Sequence, residues 1–373
     1  MDEQYADELI ASGDLTPDWR PSFLAVPRLQ FIPDTIWHEV DGLFRPVHRI
    51  VDPDRWLELA GGKNSVVTQV DDGCPVGPGD AGDIPTSSAS MPTMVALMLK
   101  YLDVHRGQRV LEIGTGTGYN AALLAHRVGA EQVVTIEIDP EVADQARKAL
   151  SDAGFGGVVT VVGNGSWGHP PAAPYDRVIA TASCHTVPYA WVAQIRPAGR
   201  IVTPWGSQYC NFGLLALTVH GDGTASGHII DTASFMRLRD QRFTSRSIST
   251  ADEQASITQT HLHPADVRHT DHSRGAVIAI GTRVPNCRTS YTPPDDNPNG
   301  EGVLWVVDHD SDSWARLHHT PGDPGPYQVY HSGPRQLWDE VEAAHQWWVD
   351  HGKPGADRWR FTITPAGQRI ELN

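Results

Sequence analysis

Residues 109–139 read RVLEIGTGTGYNAALLAHRVGAEQVVTIEID, and the rest of the chain is organised around them. Arg109–Ile113 is a short apolar run of strand character. Gly114, Gly116 and Gly118 then alternate with threonines, as a turn requires. Tyr119–Val128 carries Ala122, Leu123 and Ala125 at helical spacing, and Gly129 can stop it. Val133–Ile136 is a second apolar strand, ending in Glu137. Strand, glycine turn, helix and strand make one βαβ unit. Its loop lies at the carboxyl end of the first strand, where open α/β sheets bind nucleotides.

The glycine spacing narrows the ligand. A dinucleotide fingerprint needs G-x-G-x-x-G, and the last position of that pattern counted from Gly114 is Tyr119. G-x-G-x-G after an acidic residue, here Glu112, is the arrangement of S-adenosylmethionine (SAM) enzymes. The glycines let the backbone approach the methionine and ribose of such a ligand without Cβ clashes. Glu137 then stands where two ribose hydroxyls would donate to it. A glycine turn with no ligand is the plainer alternative, and the flanking strands with Glu137 argue against it.

The chain has 373 residues, enough for two cores, and 40% of them are apolar. No run approaches a membrane span and the start lacks a basic-then-apolar signal pattern, so a cytoplasmic protein is expected, as a monomer and without a membrane partner. Cys74, Cys184, Cys210 and Cys287 are scattered, without the C-x-x-C of a zinc or redox site. The net charge of −16, from 29 basic and 45 acidic residues, argues against a nucleic-acid partner.

Around the βαβ unit, residues 1–20 are polar and acidic and read as frayed, and Trp19–Ile50 as irregular structure with short strands. Asp52 and Pro53 open a short helix to Ala60. Asp71–Pro85 is a loop rich in Gly, Pro and Asp. Met94, Val95, Leu97, Met98, Tyr101 and Leu102 recur at helical spacing behind Ser90 and Pro92. After Glu137 a helix starts at Asp139-Pro140. Val158–Val162, Tyr175–Ala180 and Arg200–Thr203 are further strands, and Pro188–Ile195 is a helix. Leu214–Val219 and His228–Ala233 form an antiparallel pair. This alternation predicts an α/β fold with a doubly wound, Rossmann-like sheet. The character changes at Phe235. Ala276–Ile280, Val303–Val307, Trp314–His318 and Tyr327–Tyr330 read as strands, Gln336–Val349 as an amphipathic helix, and Trp359–Thr364 with Gln368–Leu372 as a closing hairpin. The expected division is an N-terminal extension and loop at 1–84, a methyltransferase domain at 85–234, and a C-terminal α+β accessory domain for substrate recognition at 235–373.

Residues 86–206 resemble protein-L-isoaspartate O-methyltransferases. The resemblance is carried by Ser88-Ala89-Ser90-Met91-Pro92, by LEIGTGTGYNAALLA at 111–125, by Gly163-Asn164-Gly165-Ser166-Trp167-Gly168, and by RPAGRIVTPWG at 196–206. It implies a class I SAM methyltransferase. Glu112, Gly114, Thr115, Gly116, Gly118, Tyr119, Asn120, Glu137, Ile138, Gly163, Asn164, Gly165 and Thr181 would then hold SAM, the product being S-adenosylhomocysteine. Asn164 stands where the family usually has an Asp touching the adenine amino group, and its amide oxygen would take over that bond. Ser90, with Ser88, stands where the family's serine meets the substrate carboxylate. Met91 replaces a usual glutamine or alanine. The implied chemistry needs no general base, because a carboxylate is already ionised at neutral pH and the sulfonium methyl is already activated. Alignment of oxygen, methyl and sulfur at roughly 3 Å is the main task.

Long versions of the family resemble enzymes of actinobacterial gene sets that make ribosomal peptides. There, one aspartate of a macrocyclic peptide, cross-linked by an ATP-grasp ligase (graspetides) or a lanthionine synthetase (lanthipeptides), is methylated and closes to an aspartimide. The resemblance therefore implies a modified precursor peptide as substrate, with Met91, His185, Arg237 and Arg239 as its contacts. Repair of isoaspartyl residues is the alternative, and a SAM-binding escort for the precursor is a reading from another class. Nucleic-acid amine methylation would want N-P-P-[YFW] where this chain has Ser183-Cys184-His185-Thr186. Plainer roles stand beside these: Ser90 as a helix cap, Asp83 and Thr86 as solvated loop residues, His185 as a surface histidine, Trp167 as adenine wall or core, and Arg237, Arg239, Arg242 and Arg246 as a solvated face. His261, His263, His269 and His272 lack the spacing of metal ligands, and no metal is expected. The tryptophans of the C-terminal helix read as core.

Overall fold

The structure, a computed structural model, describes residues 2–75, 77–243, 255–297, 299–308 and 310–373; Arg246 lies outside them. The N-terminal stretch is folded rather than frayed. Glu3–Ser12 forms α1, with Asp2 accepting from Tyr5 N at 2.7 Å and Gly13 closing it in the left-handed region. Beneath its acidic surface Ala6 and Leu9 are buried, and the Tyr5 hydroxyl meets Thr93 Oγ1 at 2.9 Å. Acidity hid this apolar stripe in the sequence. Arg20–Ala25 is a second helix, α2.

Thr35–Val40 (β1) and Leu43–His48 (β2) make a hairpin; α3 (Pro53–Gly61) follows, then Val66–Val70 (β3) and Pro85–Ala89 (β4). The four strands form an antiparallel sheet in the order β2-β1-β3-β4. Its fourth strand carries Ser88 and Ala89, the first two residues of the serine block, with Ser90 just beyond its end, which places residues 85–89 with the N-terminal sheet. The reason is local: β3 pairs with β4 from Val66–Ala89 to Val70–Pro85, while Trp56, Ile36 and Ala89 share a small core.

The central sheet is built from Val110–Ile113 (β5), Val133–Glu137 (β6), Val159–Val162 (β7), Tyr175–Ala180 (β8), Ile195–Gly206 (β9), Asn211–Val219 (β10) and Ala225–Thr232 (β11). Helices α4 (Pro92–Leu102), α5 (Tyr119–Val128), α6 (Pro140–Asp152) and α7 (Tyr189–Ala193) flank it. β7, β6, β5, β8 and β9 run parallel in that order, and β10 and β11 continue antiparallel. Successive side chains enter different cores: Val110 joins the layer of α1, α2, α4 and α5, whereas Leu111 and Ile113 join the opposite layer.

That opposite layer is shared with the C-terminal part. Ser256–Thr260 (β12), Cys287–Thr292 (β13), Gly302–Asp308 (β14), Ser313–His319 (β15) and Tyr327–Ser332 (β16) form a five-stranded antiparallel sheet in the order β12-β16-β15-β14-β13. The short α8 (Pro264–Val267), α9 (Arg274–Arg283) and α10 (Leu337–Asp350) accompany it. Ala276–Ile280, expected as a strand, is the middle of α9. Its five residues are all fully buried, and a short continuous apolar run has no period that separates a buried strand from a buried helix. Trp359–Thr364 (β17) and Gly367–Leu372 (β18) make the expected hairpin, but β17 pairs with β11 and so extends the central sheet to nine strands. Residues 235–373 are thus not wholly apart from the central sheet.

Candidate active site

At the end of β5 the chain turns sharply. Gly114 N and Thr115 N both donate to Ile136 O, at 2.8 and 3.2 Å. Gly114 has φ +91°, and a Cβ on it would lie 2.8 Å from Thr181 Oγ1, whose hydroxyl donates to the Gly114 carbonyl. Gly116 N donates to Glu137 Oε2 at 3.0 Å, while Glu137 Oε1 accepts from Ile138 N and Asp139 N at 2.9 and 3.2 Å. Burial raises the Glu137 pKa and these backbone donors oppose the rise. One carboxylate therefore holds the glycine turn against the end of β6.

Glu112, expected to hold SAM, lies in the cavity lining with both carboxylate oxygens engaged by the chain itself. It is fully buried, and its two oxygens accept from Asn120 Nδ2 and Thr135 Oγ1, each at 2.6 Å; Thr135 Oγ1 in turn meets Thr115 Oγ1 at 2.7 Å. Burial pushes its carboxyl up to about 7 against those two bonds. Glu112 and Thr115 prop the turn from within. Gly118, with φ +86°, precedes α5, and a Cβ there would lie 3.3 Å from Leu150 Cγ on α6.

A cavity of about 680 Å³ opens above the turn. Ser88, Ser90 and Met91 line one wall, and Gly114, Gly116, Tyr119 and Asn120 the floor. Glu137, Ile138, Asn164, Gly165 and Thr181 continue the lining, and Arg237, Leu238, Arg239 and Arg242 cover it. Gly163 and His185 do not face it. The serine strand comes close to the turn: a Cβ on Gly116 would lie 3.6 Å from Ser88 O. Ser90 does not cap α4, whose N-cap is Met91 with no side-chain bond. Among the described residues the Ser88 and Ser90 hydroxyls have no protein partner. Arg28, 5% exposed, fixes this strand end by donating to Ala89 O at 3.1 Å and to the carbonyls of Ala60, Gly62 and Asn64. Sequence reasoning missed Arg28 because its partners are all backbone.

Two polar atoms in the floor are buried without a partner, Tyr119 OH and Asn120 Oδ1. Such orphans are costly unless a ligand completes them. Asn120 Oδ1 offers an acceptor to the α-ammonium of SAM, the turn leaves room beside its glycines, and Glu137 retains acceptor capacity for a ribose hydroxyl. The lining therefore fits the cofactor read from the glycine spacing.

The cover is a strap, residues 235–242, latched to both sides. Arg239 Nη2 reaches Asp72 Oδ1 at 3.0 Å and Asp139 Oδ2 at 3.2 Å, and Arg242 Nη1 takes both Asp72 oxygens at 2.8 and 2.7 Å. Asp139 also caps α6 and accepts from Gln69 Nε2 at 3.1 Å. Arg237 donates to Gly206 O and Ser207 O at 3.0 and 2.6 Å and lies over Phe243. Arg237 and Arg239, expected as peptide contacts, are thus engaged within the chain, by partners 30 to 167 residues away that spacing alone does not reveal. His185 stacks on Phe243 beyond the strap, its backbone N–H held by Gln241 Oε1, and burial lowers its pKa. The turn 183–184 pairs with Arg237 and Trp205 and carries His185 past the cavity.

Trp167, expected as adenine wall or core, is 71% exposed. Thr86 lines the cavity, whereas Asp83 is exposed outside it. His263 caps α8 and His269 stacks on Phe212. No group of three or more His, Cys, Asp or Glu side chains converges among the described residues. No helix among them is long and apolar enough to cross a membrane.

Parallel strands around a glycine turn, an acidic residue closing the neighbouring strand, and a cavity at the strands' carboxyl ends define the class I SAM methyltransferase fold. Comparison with known proteins narrows this. Residues 78–242 match the family Protein-L-isoaspartate(D-aspartate) O-methyltransferase (PCMT). A protein-L-isoaspartate O-methyltransferase 1 of Archaeoglobus fulgidus is 41% identical over 162 residues, 43% of this chain and 68% of that one. One from Ignicoccus hospitalis is 48% identical over 116 residues, 31% of this chain and 55% of its own. The chain belongs to this family, although it spans only about half the length of several of these relatives. A solved protein-L-isoaspartate O-methyltransferase shares the fold over 100% of both chains, with a TM-score of 0.56 at 18% identity.

Proposed function

We propose that the chain is a SAM-dependent carboxyl O-methyltransferase acting on isoaspartyl side chains of proteins or peptides. The observation that carries this reading is the pair of unpartnered hydroxyls, Ser88 and Ser90, on the strand end that approaches Gly116. When bound, SAM supplies an activated methyl group that passes in line to a carboxylate oxygen, the S–C electron pair staying on sulfur. The chain's own residues bind and orient. Glu137 and Asn120 Oδ1 supply acceptors to the cofactor. Ser90 donates to the carboxylate oxygen that is not methylated and so turns the other one toward the methyl group. No proton moves at the reacting oxygen. The strap keeps water from the cavity.

A second reading keeps this chemistry and changes the substrate to an aspartate of a modified, macrocyclic ribosomal peptide of the graspetide or lanthipeptide kind, led on to aspartimide. Met91 favours it: 36% exposed on the cavity wall, it offers an apolar contact beside the serines. The C-terminal part does not separate the two readings, because the solved relative shares the fold along its whole length. The test is methylation from labelled SAM of an isoaspartyl peptide, its aspartyl isomer and a cross-linked precursor, read as base-labile methyl ester. Turnover of the isoaspartyl peptide is expected. Turnover of the precursor alone transfers the conclusion to the second reading, and turnover of none removes both.

A further inference from the structure

We propose that Gln241 on the strap and Gln368 on the closing hairpin are positioning residues for methyl transfer, clamping residues 185–187 between them and so setting the strap over the cavity; this rests on the methyl-transfer reading above. Thr181 and Ala182, just after β8, line the cavity, and the chain then runs irregularly from Ser183 to Val187 before α7. No helix or long ladder of its own supplies partners to this run, so its backbone groups find them elsewhere. The strap takes one end: Ser183 N donates to Met236 O at 2.8 Å and Leu238 N to Ser183 O at 2.9 Å, and Met236 and Leu238 both line the cavity. β9 takes the next residue, Cys184 N donating to Pro204 O and Gly206 N to Cys184 O, each at 3.1 Å.

Two glutamine side chains take the rest. Gln241 Oε1 accepts from His185 N and Thr186 N at 2.9 and 3.1 Å, and its Nε2 donates to Thr186 O at 2.9 Å. Gln368 Oε1 accepts from Val187 N at 3.0 Å, and its Nε2 donates to His185 O at 2.9 Å. The peptide unit between His185 and Thr186 is thereby held at its carbonyl by Gln368 and at its N–H by Gln241. The next unit, between Thr186 and Val187, is held the other way round. Turning either plane breaks bonds to both glutamines. A carboxamide offers donors and an acceptor in one plane, which neither Leu nor Glu reproduces. The strap's other side is latched by the Arg239 and Arg242 ion pairs, which salt screens, whereas this clamp is neutral. Through Gln368, control of the strap reaches β18, the outermost strand of the central sheet.

The test is a double-mutant cycle in the full chain, read as kcat/KM for an isoaspartyl peptide with labelled SAM and as amide hydrogen exchange in the strap. Gln241→Leu and Gln368→Leu should each lower kcat/KM by about tenfold, the scale of one or two lost hydrogen bonds. Either loss frees the same two peptide planes, so the double variant should fall little below the weaker single variant rather than about a hundredfold. Gln241→Glu keeps the acceptor for both N–H groups and should recover most of the rate. The Leu238 N–H should exchange about tenfold faster in Gln368→Leu, although Gln368 lies on a different element. Losses that multiply in the double variant, a Gln241→Glu no better than Gln241→Leu, or unchanged Leu238 exchange each overturn the proposal. If the unaltered chain leaves the peptide unmethylated, the reading of its function falls instead, and Leu238 exchange alone decides the clamp.

Discussion

At Ser90 the structure leaves a hydroxyl without a protein partner on a wall that approaches the glycine turn. Ser90→Ala should lower the methylation rate by about tenfold or more, the scale of one lost hydrogen bond to a charge, and leave S-adenosylhomocysteine affinity nearly unchanged. Lost affinity instead would place the serine in the cofactor site. Glu112 gives a pH prediction. Its carboxyl, pushed up to about 7, holds a proton more tightly in the folded chain than at the ordinary value of 4.5. Its contribution to stability is therefore full below about pH 4.5 and is lost as pH rises through 7, a change of about 3 kcal/mol. Melting temperature should fall from pH 5 to pH 8, and Glu112→Gln should flatten that slope in a fluorescence melt. At this scale the sequence was readable where a residue's role is set by its neighbours along the chain: Gly114, Gly116, Glu137, Tyr119 and Asn120 all face the cavity or close its turn. It was unreadable where direction decides. Nothing in the spacing says that Glu112 points inward to Thr135, or that Arg239 meets Asp72.

Among the elements, the strap behaves as a clasp held by four charges. Asp72 has φ +51° and stands between Arg239 and Arg242, so removing it frees both arginines from that side. Asp72→Ala should speed S-adenosylhomocysteine dissociation several-fold in stopped-flow, and added salt should speed release from the unaltered protein more than from the variant. Equal salt dependence in the two would show that the clasp does not hold the ligand. Helix α9 makes a second prediction. A Cβ on Gly275 would lie 1.9 Å from Pro354 O, so Gly275→Ala must push the turn after α10 away. A loss of about 1–3 kcal/mol, read from denaturant midpoints, is expected. The βαβ unit, α3, α10 and the closing hairpin could be placed from pattern alone because each carries its own period or cap. Helices α1 and α9 could not: one hides two buried residues under acidic neighbours, and the other is buried on every side from Gly275 to Ile280.

For the whole molecule, the decisive fact is a shared core. Trp205, Phe212, Leu215 and Ile229 of the central sheet lie in one apolar cluster with Val277, Ile280, Leu304, Trp338 and Phe361. The sheet and the C-terminal part should therefore melt as one transition in calorimetry. A chain cut after residue 234 should not fold, because it exposes that face and strips the hairpin from β11. Two separate transitions would mean that the two parts are independent. A change in composition near Phe235 is visible in the sequence, but composition cannot show that residues 235–242 cover the cavity or that a later hairpin returns to an earlier sheet.

That return sets an order of events. β11 ends at Thr232 and its partner β17 begins at Trp359, so the five-stranded sheet with α9 and α10 is contained in the excursion between two adjacent strands. Pairing across so long a separation is slow compared with local structure, though lengthening the loop adds only slightly to its entropic cost. During refolding, β5 to β9 can associate early, whereas β17 and β18 dock only after the intervening module has brought its ends together. Pulsed hydrogen exchange should find amide protection in Trp359–Leu372 arriving last, so the outermost strands of the catalytic sheet report when the entire chain has finished folding.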